Sequence, residues 1–341
     1  MPEKDPVSRA VADLAERRDL GAALAEEAFS WVMAGEASPV LMSALLTGLR
    51  VKGETADEVV GAVRALRGAM KPVPLPDGAT AVDTCGTGGG RLTTFNISTA
   101  AALVVAGAGV HVAKHGNRSF TSQSGSADVL EALGMKLPQT PEHAAGLLAR
   151  CRMTFLFAPL FHPAMRHVGP VRRELGITTM MNLLGPLANP AGVRRQVVGV
   201  ADEARAPLIA LALSRLGTEL AFVVHARVGM DEISPEGPTD VWEVQGCEVK
   251  QWTLNPGSLG RSGTLDGLRG GTPAENAAMI RGILAGTDRG ERCVAVVLNA
   301  AAALVCAGLT NDWKEAADRA EDAIADGRAA AVLEGLVSTS E

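Results

Sequence analysis

Tyrosine is absent from the 341 residues, and aromatic residues make up only 3%. That argues against a surface that grips nucleic acid by stacking bases on rings. There is no long basic run and the formal net charge is −6. A phosphate-bearing ligand must therefore meet positive charge focused in a site rather than spread over a face. The five cysteines (Cys85, Cys151, Cys247, Cys293, Cys306) are an odd number with no CxxC pair. They fit reduced thiols in a cytoplasmic protein better than a disulfide framework or a zinc site. The opening MPEKDPVSRA has no apolar core behind its charges and does not read as a signal peptide. The longest apolar run, residues 293–309, is alanine-rich and interrupted by Asn299, so it reads as a buried helix rather than a membrane span. No internal repeat is visible.

What the chain does have is ample apolar material, 47%, and a length that suits two domains. Residues 6–70 carry apolar side chains at mixed three and four spacing, the mark of helices. Ser38-Pro39 and Thr55 look like helix starts, and Gly35 and Gly53 like stops. KPVPLPDG, residues 71–78, is a linker by composition. From residue 81 strand and helix patterns alternate, which implies βαβ units and a mostly parallel sheet flanked by helices. This predicts an α/β fold, with an N-terminal helical domain over 1–72 and a larger domain over 79–341. SGSADVLEALG, residues 124–134, reads as a helix of about three turns, MTFLFA as a strand, and the stretch from Phe161 to Gly176 as a helix broken at Pro170. VVGVA (197–201), 205–217 and LAFVVHA read as strand, helix, strand. VWEVQGCEVKQWTL alternates as a small β ribbon. Residues 273–336 are mostly helical in pattern.

The stretch 81–122 concentrates the chemistry. A short strand runs into Gly86, Gly88, Gly89 and Gly90, which let a loop bring N–H groups close to a ligand. Asn96, Ser98 and Thr99 precede AAALVVAGAG as N-cap residues precede an apolar helix, whose first N–H groups suit phosphate. A second strand, HVAKHG, ends in Lys114, with Gly116-Asn117-Arg118-Ser119 and Thr121-Ser122 supplying further donors. A glycine loop alone is weak evidence, since neither the P-loop ending nor GxGxxG spacing is present; the donors around it strengthen the phosphate reading. Asp231 and Glu232 follow LAFVVHA and a Gly-Met turn; two carboxylates near a strand end can hold Mg²⁺, whereas most such pairs are ordinary exposed acidic loops. Arg172 and Arg173 are equal candidates for a carboxylate clamp. His115 is a tempting base, but the sequence assigns none; the remaining histidines show no ligand spacing.

GTGG followed by FNIST, then KHGNRS, SGSADVLEALG, FLFAPLFHPAMRHVGPVRRELG, NLLGPLANP and HARVGMDEIS resemble the anthranilate phosphoribosyltransferase family over roughly residues 5–335. The resemblance implies transfer of a phosphoribosyl group from phosphoribosyl pyrophosphate to anthranilate in tryptophan biosynthesis. It also implies Mg²⁺ (two ions per monomer), a homodimer, no nucleic-acid or membrane partner, and a segment 166–190 packed back on the opening helices. The phosphoribosyl pyrophosphate residues it implies are Gly86, Gly89, Gly90, Thr94, Asn96, Ile97, Ser98, Thr99, Lys114, His115, Gly116, Asn117, Arg118, Ser119, Phe120, Thr121, Ser122 and Ser126. Anthranilate falls to Gly86, Asn117 and Arg172, and metal to Ser98, Asp231 and Glu232. One departure stands out: the family often reads GTGGDG, and here Gly90 and Arg91 replace the last two residues. The competing readings are a pyrimidine nucleoside phosphorylase and a non-catalytic nucleic-acid-binding paralogue.

Overall fold

The computed structural model describes residues 5–90, 92–119 and 123–339. The chain opens with α1 (Pro6–Ala15), α2 (Ala22–Ala34), α3 (Pro39–Lys52) and α4 (Ala56–Gly68). Local chemistry sets their ends. Ser38 Oγ accepts from the Leu41 N–H at 3.3 Å, and Thr55 and Glu58 form a reciprocal capping box. Gly35 and Gly53 close α2 and α3 at φ 81° and 92°, a region that strains an L side chain. Where α2 and α4 cross, Gly61 leaves no room for a Cβ above the backbone of Ala22.

The larger part alternates β1 (Ala81–Gly86), α5 (Ile97–Gly107), β2 (His111–Gly116), α6 (Ser126–Ala132), α7 (Pro141–Cys151) and β3 (Met153–Phe157). Next come α8 (Ala158–Phe161), α9 (Met165–Leu175), α10 (Met181–Leu184), β4 (Arg195–Gly199), α11 (Ala206–Arg215) and β5 (Leu220–Ala226). The hairpin β6 (Thr239–Gln245) and β7 (Glu248–Leu254) follows, then α12 (Pro273–Leu284), α13 (Glu291–Ala307), α14 (Trp313–Ala325) and α15 (Arg328–Ser338). Among the described residues these strands form one seven-stranded sheet in the order β3-β2-β1-β4-β5-β6-β7. The ladders from β3 to β5 are parallel, and β6 and β7 add on antiparallel.

Both faces of the sheet are covered, so its strands are apolar on both sides. Val197 and Phe222 face a core shared with α5 and α13, while their neighbours Val198 and Val223 face one shared with α11 and the opening helices. Nearly all of α5 is buried, and its alanines and those of α13 let the two helices approach closely. Burying one such side chain, Leu103, contributes about 1.5–3 kcal/mol. Val168 and Val171 of α9, with Met180 to Leu187, share the core of α2, α3 and α4.

Several elements differ from their sequence pattern. Pro170 lies inside a continuous α9; it sits on the exposed face, where the carbonyl it leaves unpaired can turn to water. The β ribbon is no separate unit, because β6 pairs with β5 along its whole length. α6 has 7 residues, two turns rather than three. Residues 141–151 form a helix the pattern left out, although Thr140 caps it and Pro141 opens it.

The connection after β1 passes along one face with α5, and the connection after β4 along the other with α11. Neighbouring strands whose loops part in opposite directions leave a crevice at their carboxyl ends. The glycine loop hangs over that crevice.

Candidate active site

A cleft of about 1190 Å³ opens there. Its walls are the glycine loop, the ends of β2 and β4, the start of α6, one side of α9 from Met165 to Arg173, residues 181–186 and the Asp231-Glu232 turn. β1 and β2 pair only at Ala81–His111 and Val82–Val112. Beyond, they part, and side chains take over the bonding. Asp83 accepts from the His115 N–H at 3.1 Å and from Asn189 Nδ2 at 2.8 Å. Lys114 does not end its strand but lies within it, 1% exposed. Its ammonium donates to the Thr84 carbonyl and, at 3.3 Å, to Ser98 Oγ. Burial lowers the Lys114 pKa, and the nearby Asp83, Cys85 and Glu232 charges oppose that.

The glycine loop is tied across the crevice by the Thr87 N–H, which donates to Gly199 O at 2.8 Å. Gly88 and Gly89 hold φ 66° and 80°, so only glycine is unstrained there. Gly86 and Gly90 instead lie close against Asp231, so that a side chain there would press on its carboxylate. A Cβ on them would lie 3.4 and 3.1 Å from the Asp231 carboxylate oxygens. Asp231 thus sits in a cradle under the loop.

Glu232 faces the start of α5. Its Oε1 accepts from the Ser98 N–H at 3.1 Å and its Oε2 from Thr94 Oγ1 at 3.2 Å. Burial, then the charge of Asp231, pushes the Glu232 pKa up to about 8; burial also raises that of Asp231. Two desolvated carboxylates side by side, with the Ser98 hydroxyl nearby, form a hard oxygen donor set that a divalent cation would relieve, so these residues fit Mg²⁺. Among the described residues no cluster of three or more His, Cys, Asp or Glu could hold a metal. Mg²⁺ commonly completes its shell with substrate phosphate and water.

Some expected phosphate donors are already committed. Ile97 and Thr99 are 0% exposed and do not line the cleft; their N–H groups bond Phe95 O and Asn96 O. With Ser98 N–H held by Glu232, the helix start has little left to offer a phosphate, and the N–H groups of Gly89 and Gly90 in the glycine loop are the better candidates. Asn96 makes no side-chain cap. It bonds Ser124 O at 3.1 Å and accepts from Asn276 Nδ2 at 2.9 Å, joining the phosphate loop to α12. Arg118 is tied to Asp128 at 2.7 Å and Glu131 at 2.6 Å on α6. Gly116, Asn117, Ser119 and Ser126 line the cleft. Phe120, Thr121, Ser122 and Arg91 lie outside the described residues.

Across the cleft α9 presents both Arg172 and Arg173. Arg172 is half-buried and Arg173 exposed, and neither forms an ion pair among the described residues. Burial lowers the Arg172 pKa. His115 is buried in β2, with Nδ1 3.0 Å from Gly185 O. Its ring centroid lies 5.0 Å from that of His162. Burial, then His162, pushes His115 down to about 3; burial pushes His162 down to about 4. The sequence marked His162 as ordinary, and no spacing signal links it to His115. Asn299, which lines the cleft, and Asn276, which holds Asn96 from behind, carried no sequence signal beyond a lone polar residue in the apolar run for Asn299.

The geometry has counterparts among known proteins. The model of the glycosyl transferase family a/b domain matches residues 78–330, and that of its helical bundle domain residues 8–70. The anthranilate phosphoribosyltransferase of Rubrobacter xylanophilus is 49% identical over 93% of this chain and 92% of its own. That of Moorella thermoacetica is 46% identical over 99% and 98%. The crystal structure of anthranilate phosphoribosyltransferase from Thermus thermophilus superposes with a TM-score of 0.92 at 41% identity, covering 99% of both chains. The Saccharomyces cerevisiae enzyme in complex with phosphoribosyl pyrophosphate and Mg gives 0.90 at 29% identity, over 99% of this chain and 98% of that one. With a glycine-loop cleft at the sheet's switch point and relatives matched over nearly its whole length, the chain belongs to the anthranilate phosphoribosyltransferase family.

Proposed function

We propose that this chain transfers the phosphoribosyl group of phosphoribosyl pyrophosphate to the amine of anthranilate, giving N-(5-phosphoribosyl)anthranilate and pyrophosphate, in L-tryptophan biosynthesis in the cytoplasm. The observation that carries this reading is the meeting, in one cleft, of the glycine loop and the Asp231–Glu232 pair, with half-buried Arg172 on the facing wall. Small-molecule substrates of this kind suit a chain without stacking rings or a basic face.

In the reaction the bond from C1 to the diphosphate oxygen breaks, and its electron pair leaves with the diphosphate. The amine lone pair forms the new C1–N bond, and the nitrogen then loses a proton. Mg²⁺, two ions per monomer, would be held by Asp231, Glu232 and the Ser98 hydroxyl, and supplies charge that stabilises the leaving diphosphate. The N–H groups of Gly86, Gly89 and Gly90 face the diphosphate, and Thr94, whose hydroxyl donates to Glu232 at 3.2 Å, holds that carboxylate beside it. Gly116, Asn117, Ser119 and Ser126 face the ribose phosphate. Lys114 acts as a buried positive charge behind Ser98. Arg172 and Asn117 orient anthranilate, whose carboxylate matches a planar guanidinium. His115 and His162 stay neutral and are not assigned as bases; an aromatic amine needs little deprotonation before attacking an electron-poor carbon.

The proposal extends to a homodimer through the opening helices. Val40 and Val51 of α3 are 78% and 77% exposed and Trp31 of α2 is 39% exposed, an apolar surface that a second copy would cover. Light scattering showing a monomer at micromolar concentration would overturn the dimer. The activity is tested by anthranilate fluorescence. It should fall only when phosphoribosyl pyrophosphate and Mg²⁺ are both present. Unchanged fluorescence, with phosphate-dependent cleavage of a pyrimidine nucleoside, would overturn the reading.

A further inference from the structure

Asn299 stands in the middle of α13, 6% exposed, in a run otherwise of alanine, valine and leucine. A polar group in such a place needs partners, and it has them. Oδ1 accepts from the Ile233 N–H at 2.9 Å and Nδ2 donates to Ile233 O at 2.9 Å. The other Nδ2 proton goes to Ala295 O at 2.9 Å, one turn back. The orientation of the amide follows from these partners. Turned over, it would face an N–H with a donor and two carbonyls with an acceptor.

Ile233 directly follows Glu232. Residues 231–238 contain no helix or strand, so this turn has no ladder of its own to fix its backbone. The Asn299 amide supplies to Ile233 the donor and acceptor that a neighbouring strand would supply. The side chain of Ile233, fully buried, sits in the core with α13. The Asp231 and Glu232 carboxylates project from the chain immediately before this fixed point.

We propose that Asn299 is a positioning residue: its amide clamp on Ile233 sets where Asp231 and Glu232 stand relative to the glycine loop, and so sets the affinity for the divalent cation. The inference rests on reading that pair as the metal-holding carboxylates. Outer-shell partners of this sort change metal affinity by about 10–100-fold when altered.

The test uses Mn²⁺ with pyrophosphate, followed by electron paramagnetic resonance, on wild type, Asn299→Asp and Asn299→Ala. The Asp variant keeps the size and the acceptor for Ile233 N–H but turns an oxygen toward two carbonyls; the Ala variant removes all three bonds. Val305→Ala, on the same helix and away from the cleft, serves as a control for general destabilisation. Both Asn299 variants should bind Mn²⁺ about 10–100-fold more weakly per folded molecule, with the KM for anthranilate changing less than about twofold. The control should lose melting temperature without losing Mn²⁺ affinity. Wild-type affinity in a folded Asn299 variant would overturn the positioning role alone. Failure of wild type to bind Mn²⁺ would overturn it together with the metal reading of Asp231 and Glu232.

Discussion

Glu232 lies across the start of α5, its carboxylate accepting the Ser98 N–H at 3.1 Å while Thr94 Oγ1 donates to the other oxygen at 3.2 Å. One side chain thereby joins the turn after β5 to the helix after β1, across the crevice between β1 and β4. The bond needs only an acceptor, whereas cation binding needs the charge.

That distinction gives a first expectation. Asp231→Asn with Glu232→Gln should keep the fold, because a glutamine oxygen still accepts from Ser98 and the Thr94 hydroxyl can accept from its amide. Removing a desolvated carboxylate pair, whose ionisation burial already opposes, should leave the melting temperature equal or higher without Mg²⁺. Turnover should drop by about 10²-fold or more, since charge stabilisation of the leaving group is worth several kcal/mol. Melting curves and a Mg²⁺ titration check both halves. Undiminished turnover at sub-millimolar Mg²⁺ would take the pair out of the site.

Arg172→Ala should weaken anthranilate use far more than phosphoribosyl pyrophosphate use. Arg172 is half-buried without an ion-pair partner among the described residues, and burial lowers its pKa; a carboxylate ligand would supply the missing counter-charge. Losing such a desolvated partner costs about 2–5 kcal/mol. Steady-state kinetics on both substrates, with Arg173→Ala alongside, decide the matter. Equal damage to both KM values would point to Arg173 or to a folding defect.

The buried histidines predict an acid-side loss of stability. His115 and His162 are held down to about 3 and about 4 in the folded chain, mainly by burial. An unfolded imidazole titrates near about 6.5. Below that pH the unfolded chain takes up protons that the folded chain refuses, so the stability these neutral groups allow is present above 6.5 and lost as pH falls toward 4. Each histidine contributes a slope of up to about 1.4 kcal/mol per pH unit. Urea unfolding at pH 7, 6 and 5 should show a shallower slope for His162→Asn than for wild type. Identical slopes would mean that His162 is already charged in the folded chain.

How far the sequence carried this picture depended on the range of each interaction. Gly35, Gly53, Ser38 and Thr55 act within one turn, so the ends of α2, α3 and α4 could be read directly. The glycine loop and the Asp-Glu pair at a strand end were legible because their residue types are tied to backbone and charge requirements. Lys114 was misplaced, since nothing local says that its ammonium reaches back under Thr84. The ion pairs of Arg118 with Asp128 and Glu131 on α6 were likewise not legible in the pattern around KHGNRS, although Arg118 does line the cleft. Asn276 and Asn299 act on Asn96 and Ile233, residues far away in sequence, and pattern within a window cannot reveal such pairs. Pro170 shows the opposite failure: a local rule was overridden by an exposed helix face.

Gly90 offers the sharpest remaining test, because the family often carries an acidic residue here. Its φ is outside the left-handed region that Gly88 and Gly89 occupy, so Gly90→Asp is free of backbone strain. A Cβ at 90 would stand 3.1 Å from Asp231 Oδ1, which brings a new carboxylate beside one already pushed up by burial. At about 4 Å two unit charges repel by up to about 4 kcal/mol at an effective dielectric of 20, and a cation between them reverses the sign. The variant should therefore melt lower than wild type in EDTA and gain more from added Mg²⁺. Its activity should also rise more steeply with Mg²⁺ concentration. Wild type, with glycine at 90, lacks both the repulsion and the extra ligand, so its response should be flatter. Differential scanning fluorimetry across a Mg²⁺ series, paired with initial rates at saturating substrates, separates the two effects. Superimposable Mg²⁺ profiles for the two proteins would show that residue 90 does not share the cation site with Asp231.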